Sequence, residues 1–304
     1  MMDNYGFYTG KSFDAYEFFG CHTDENGAVF RVFAPAAVRI SVIGEFNGWQ
    51  DTPMNKIGDG NFWAVYIEGV KPGQMYKYKI YKPDGSCMDH CDPYGYGMEL
   101  RPASASIVRN LYGYEFQDDA WMKKRSNGVA SALNIYEIHA GSWKKPQNGW
   151  YRYDELAMQL VPYLKEYGYN YIELLPIGEH PCDESWGYQC SGFYSPTSRY
   201  GTLDDYKKMI DILHHNDIGV IMDFVPVHFA LDAYALAKFD GTALYEYPHK
   251  DVGNSEWGSC NFMHSRGEVR SFLQSCANYW LKEYHVDGLR MDAISNMIYW
   301  QGNP

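Results

Sequence analysis

Arg290 and Asp292 stand two apart in the run VDGLRMDAI, so on an extended strand both side chains leave by one face. A guanidinium at that spacing lowers the carboxyl pKa and keeps the group ionised, the state a carboxylate nucleophile requires. An isolated R-x-D serves equally well as a structural pair covering a strand end, and the spacing alone leaves both readings open. Asp223 and His228 are five apart in DFVPVH. There the carboxylate is placed to buttress a site and the imidazole to donate to a substrate hydroxyl, but D-x-x-x-x-H by itself is a common pattern.

Whether these residues meet depends on the elements that carry them. From Leu133 onward, strand-like and helix-like runs alternate, which argues a parallel sheet. The strands are LNIYEIH (133–139), YIELL (171–175), GVIMDFV (219–225) and VDGLRMDAI (286–294). Between them, Leu156, Leu160, Val161, Leu164 and Tyr167 share one helical stripe, with Pro162 inside it predicting a kink or a shorter helix. Thr202 and Asp205 form a capping-box start for the next helix, and Val269, Phe272, Leu273, Cys276 and Trp280 line a third. No strand is followed by a Gly-rich phosphate loop, so no nucleotide cofactor is expected. Four strands with three helices are half of what an eight-stranded barrel needs; periodicity alone does not separate half a barrel from a doubly wound sheet. Residues 28–81 differ: VFRVFAP, VRISVIG, FWAVYIEG and MYKYKIYK are short, β-branched or aromatic runs broken by Pro, Gly, Asn and Asp, the pattern of an antiparallel β-sandwich. The expected organisation is a sandwich with its following loop over 1–116, a charged linker over 117–131, and the barrel part over 132–304.

Composition narrows the partners. A formal charge of -12 over 304 residues repels polyanions, so neither nucleic acid nor an anionic membrane surface is expected. The N-terminus lacks the basic and apolar regions of a signal peptide, and no window reaches the length of a membrane span. Seven cysteines, an odd number scattered along the chain, suit a reducing compartment, and a cytoplasmic location is expected. Cys87, His90 and Cys91 cluster, but no second Cys/His pair follows at finger spacing, so no metal is expected. Aromatic residues make up 17%, with 28 tyrosines and nine tryptophans. Flat rings with polar tips suit pyranose C–H faces and hydroxyls, although any one ring can equally be a core or interface residue.

Taken together, WGYQCSGFYSPTSRYGT, DFVPVH and GLRMDAI, in that order and each at a strand end or in the following loop, resemble the α-amylase superfamily (glycoside hydrolase family 13). YEIHAGSW, YIELLPIGEHP, EWGSCNF and EVRSFL narrow the resemblance to the 1,4-α-glucan branching enzymes. VFRVFAP, GEFNGW and DPYGYGMELRPASASIV resemble the family 48 carbohydrate-binding module and linker that precede such barrels. The resemblance implies an immunoglobulin-like β-sandwich followed by the first half of a TIM (β/α)8 barrel, truncated after the fourth strand. It implies Asp292 as nucleophile, Arg290 as its charge partner, Asp223 and His228 as contacts around the sugar, and Tyr188 stacking on it. Trp49 and Lys77 match positions that touch glucan in some relatives. Where several related modules carry a second tryptophan near Cys87, this chain has cysteine, which weakens the case for a sugar site on the module. The implied partner is an α-1,4-glucan of the glycogen or amylose type. The implied reaction is cleavage of an α-1,4 link and transfer to a 6-hydroxyl by retaining double displacement, without cofactor. The acid/base glutamate and a His–Asp pair follow later strands in the family, so this stretch alone is expected to be inactive and to self-associate through open barrel edges. A debranching hydrolase of the isoamylase type and a non-catalytic glucan-binding protein are the competing readings.

Overall fold

The computed structural model describes residues 3–125 and 132–299; residues 126–131 of the expected linker and the stretch after 299 lie outside the described residues. In the N-terminal domain, α1 (Asn4–Thr9) precedes β1 (Gly20–Thr23), β2 (Gly27–Phe33), β3 (Arg39–Gly44), β4 (Thr52–Pro53), β5 (Asn55–Ile57), β6 (Phe62–Glu68), β7 (Met75–Tyr81), β8 (Cys87–His90) and β9 (Ser106–Ile107). One sheet runs β1-β2-β6-β5 and the other β4-β3-β7-β8, with β9 also on β7. All these pairings are antiparallel. The sequence reading found β2, β3, β6 and β7; the strands it left out are short or weakly alternating and are held by their longer partners. In β7, Tyr76, Tyr78 and Ile80 are fully buried while Lys77 and Lys79 face out, as a sheet with one covered face requires. Burying two tyrosines there is tolerable because both hydroxyls donate to Asp92 Oδ2, at 2.7 and 3.1 Å.

The second domain begins with α2 (Asp119–Lys124), inside the stretch read as a linker. Trp121 makes this helix part of the barrel floor: its Nε1 donates to Asp287 Oδ1 at 2.9 Å and its ring stacks on His214. Then follow β10 (Ile135–Ile138), α3 (Tyr153–Glu166), β11 (Tyr171–Leu174), the small strands β12 (Gly178–Glu179) and β13 (Gly192–Pro196), α4 (Leu203–His215), β14 (Gly219–Phe224), β15 (His228–Phe229), α5 (Lys250–Gly253), β16 (Cys260–Asn261), α6 (Gly267–Glu283), β17 (Gly288–Met291) and α7 (Ile294–Ile298). The sheet β10-β11-β14-β17 is parallel throughout. The helix expected to kink or stop runs on through Pro162 to Glu166. The carbonyl that Pro162 leaves without a donor belongs to Met158, which is exposed and open to water. The capping box at Thr202 is formed: its amide donates to Asp205 Oδ2 at 2.8 Å while its hydroxyl accepts from the Asp205 amide.

The two domains are joined by more than the linker. Ser271 Oγ on α6 donates to Phe7 O at 2.8 Å, and Ser275 Oγ accepts from the Ala15 amide at 3.0 Å. The approach is so close that a Cβ on Gly267 would sit 1.8 Å from Tyr8 O.

Candidate active site

The parallel register decides which side chains share the barrel interior. Asp223 pairs with Arg290, and two residues earlier Glu173 pairs with both Glu137 and Ile221. The intervening Ile172, Leu174, Val220 and Met222 are buried under the helices, so the opposite, interior face carries Glu137, Glu173, Asp223 and Arg290. Asp292 follows β17 directly, its amide donating to Phe224 O at 2.9 Å, which holds it at the carboxyl end of the sheet, where barrel enzymes place their chemistry.

At that end one guanidinium nitrogen organises two carboxylates. Arg290 Nη1 donates to both oxygens of Asp223, at 3.0 and 2.9 Å, and to Asp292 Oδ1 at 2.7 Å. Asp223 receives a second donor, the Tyr188 hydroxyl, at 2.6 Å. Burial pushes the Asp223 carboxyl above its usual range, with the Tyr188 and Arg290 hydrogen bonds pulling it back. Burial alone would lower the Arg290 pKa, but Asp223 and then Asp292 hold it above the ordinary arginine value. Burial and the Asp223 bond raise the Tyr188 phenol, so it stays a donor. Among the described residues, Asp292 Oδ2 accepts no hydrogen bond.

Tyr188 reaches Asp223 through a turn that its sequence builds. Trp186 and Gly187 both have positive φ, 54° and 93°. A Cβ at Gly187 would lie 2.3 Å from Pro176 O, so glycine is needed to fold the turn onto the end of β11. The same loop is anchored by Arg199, whose almost fully buried guanidinium meets Glu179 at 2.7 Å and Asp183 at 2.6 Å.

His228 stands nearby in β15. Its Nδ1 is in contact with Ser259 Oγ at 3.0 Å, its ring lies 5.1 Å from that of Trp257, and its Nε2 is left without a protein partner among the described residues. Burial lowers its pKa, offset in part by the charge of Asp292, so the ring is neutral near pH 7. Gln189, next to Tyr188, donates to Trp257 O at 3.0 Å and ties the two loops together. The structure therefore brings Tyr188, Asp223, Arg290 and Asp292 into one hydrogen-bonded cluster with His228 beside it. Trp49 and Lys77 stand apart, in the sandwich: Trp49 is exposed in the turn after β3, and Lys77 Nζ donates to Ser104 Oγ at 2.9 Å. Sequence reasoning missed Trp257 and Ser259 as site residues. Their signal lay in EWGSCNF, but no periodicity places that loop on the imidazole. It also missed Glu137 and Glu173, which look like ordinary strand polar positions until the register turns them inward. Burial, the Glu137 charge and the Asp223 charge together raise the Glu173 carboxyl.

A sandwich leading into a parallel sheet with this carboxylate–arginine mouth defines the class: a family 48 module joined to an α-amylase-type catalytic segment. Two family models match accordingly, the carbohydrate-binding module 48 (isoamylase N-terminal domain) over residues 18–95 and the alpha amylase catalytic domain over 157–251. Within that class the chain is homologous along its length to 1,4-alpha-glucan branching enzymes. It is 46% identical to 1,4-alpha-glucan branching enzyme GlgB of Fusobacterium nucleatum, across 99% of this chain and 50% of the relative. It is likewise 46% identical to that of Bacillus caldolyticus, across 99% and 47%. Among solved structures, a putative alpha amylase from Salmonella typhimurium superposes with a TM-score of 0.76 at 27% identity, over 92% of this chain and 44% of that one. A pullulanase from Bacillus acidopullulyticus, at 0.72 and 22%, over 90% and 38%, shares the fold. The chain spans about half the length of the curated relatives it matches. No helix among the described residues is long and apolar enough to cross a membrane.

Proposed function

We propose that this chain carries the nucleophile side of a branching active site acting on α-1,4-glucan. The observation that carries the reading is the single Arg290 nitrogen shared by Asp223 and Asp292, with Asp292 Oδ2 unengaged among the described residues. In this reading Asp292 Oδ2 attacks the anomeric carbon. Arg290 keeps the attacking carboxylate ionised and oriented, and Asp223, fixed by Arg290 and Tyr188, accepts hydrogen bonds from the sugar. His228 Nε2 meets a further hydroxyl and the Tyr188 ring backs the pyranose. Attack breaks the α-1,4 link, the departing chain leaving with its 4-oxygen protonated by a second carboxyl. The glucan segment held on Asp292 then passes to a 6-hydroxyl, whose proton returns to that carboxyl, giving an α-1,6 branch with retention. A retaining mechanism pairs the nucleophile with a second carboxyl about 5–5.5 Å away, which the resemblance assigns to a strand beyond β17.

The reaction is tested on a polypeptide carrying that strand, by the fall in iodine–amylose absorbance together with the appearance of α-1,6 linkages by NMR. Branching lost in Asp292→Asn with retained glucan binding supports the reading; reducing ends released without new α-1,6 linkages would turn it into a hydrolase.

Glycogen synthesis in the cytoplasm is the setting of this reading: the relatives' names support the branching of 1,4-alpha-glucan, and the seven free cysteines favour a reducing compartment. Strands β10 and β17 are the edges of the parallel sheet among the described residues, and Ile135 and Met291 on them are exposed. Open edges of this kind pair with one another. The 304-residue chain is therefore expected to self-associate with rising concentration, and a concentration-independent monomer in sedimentation velocity would contradict it.

A further inference from the structure

A second cavity, of about 460 Å³, lies away from the carboxylate cluster, where the turn between β7 and β8 of the sandwich meets the loop between β15 and β16. Its size falls within the range of small-molecule sites. Its wall contains three lysines, Lys82, Lys238 and Lys250, and one acidic residue, Glu246. Among the described residues none of those three ammonium groups has an ion pair or a hydrogen bond. The lining thus carries three ammonium groups to one carboxylate, with Asp84 a further acid felt by Lys82, on a chain of net charge -12.

Glu246 is only 5% exposed. Its Oε1 accepts from the Lys238 amide at 2.8 Å, whereas its Oε2 is buried without a hydrogen-bond partner among the described residues. A buried carboxylate oxygen left unpaired is costly, and such a group in a cavity wall is matched by a donor from elsewhere. Leu231 and Pro248 supply apolar wall between the charged groups.

We propose that this interdomain cavity binds a phosphorylated sugar. The lysines take the phosphate through charge-assisted hydrogen bonds, a ring hydroxyl donates to Glu246, and the C–H face of the ring lies on Leu231 and Pro248. Because Lys82 comes from the sandwich and the other groups from the barrel side, the occupied cavity clamps the two domains together. The assignment stands independently of the reaction proposed above.

The test uses the 304-residue chain with three probes, glucose 6-phosphate, inorganic phosphate and maltotriose, by titration calorimetry and thermal unfolding. Glucose 6-phosphate is expected to bind saturably and raise the unfolding temperature, with inorganic phosphate roughly tenfold weaker and maltotriose without effect. Lys82→Ala combined with Lys238→Ala is expected to weaken glucose 6-phosphate at least about tenfold, and Glu246→Gln to erase its advantage over inorganic phosphate. Absence of saturable binding at millimolar glucose 6-phosphate overturns the proposal. So does binding that the double lysine variant leaves unchanged, or maltotriose binding as tightly as the phosphate ester. Should Glu246→Gln fail to fold, the two lysines, Lys238 exposed and Lys82 only partly covered, still decide the outcome.

Discussion

Arg290 does three jobs with one nitrogen: it neutralises Asp223, aligns Asp292, and ties β14 to the end of β17. A lysine ends in an ammonium on a flexible stem, without the rigid planar group that holds Nη1 between the two carboxylates, so Arg290→Lys is a large change at such a position. Expected in the branching assay is a fall in kcat of roughly two orders of magnitude with KM little altered, because the loss is of alignment at the reacting carbon. Asp292→Asn removes the attacking group itself, and kcat is expected to drop by about four orders of magnitude or more. Trp257→Ala strips the ring beside His228 without touching the carboxylates. It is expected to raise KM several-fold while leaving kcat within about a factor of three, and an unchanged KM would remove Trp257 from the sugar's surroundings.

At the scale of elements, the site depends on turns and helix ends. The reciprocal bonds of Thr202 and Asp205 start α4, and Thr202→Ala is expected to cost about 1 kcal/mol in chemical denaturation. Gly267 opens α6 against the backbone of Tyr8. An alanine there must push α1 off the helix, since backbone cannot yield as a flexible side chain does. We expect Gly267→Ala to cost about 2–3 kcal/mol and to speed proteolytic clipping near residues 4–17. Helix α6 was legible in the stripe of Val269, Phe272, Leu273, Cys276 and Trp280, whereas α1 was not. Six residues give less than two helical turns, and its stability comes from packing on α6, which no local pattern records.

For the whole molecule, the domain contact also sets a pH response. His90 of β8 is fully buried, its Nδ1 at 3.0 Å from Ala235 O across the domain boundary and its Nε2 without a partner among the described residues. Burial lowers its pKa from 6.5 to about 4; His180 is lowered to about 4 for the same reason. The unfolded chain therefore takes up protons near pH 6.5 that the folded chain refuses until about pH 4, so stability falls as pH drops through that window. His90→Gln, which keeps a donor for Ala235 O, is expected to flatten the decline in denaturation midpoint that the two imidazoles contribute between pH 6.5 and 4, a decline opposed by the buried Asp92 carboxyl, raised to about 6. A slope unchanged in the variant would assign the response to other groups.

The sequence by itself determined the order of the longer strands and helices, the residue types at the barrel mouth and, through the order of its motifs, the class of fold, because those follow from periodicity, from spacing within a strand and from motif order. R-x-D puts Arg290 and Asp292 on one face whatever the surroundings. Only the tertiary structure decided that one Arg290 nitrogen serves both carboxylates, that Trp257 and Ser259 belong beside His228, that Glu137 and Glu173 point inward, that α1 fastens the sandwich to α6, and that α2 closes the barrel floor. Each of these depends on strand register or on contacts between segments tens to hundreds of residues apart, and such contacts leave no local period in the chain.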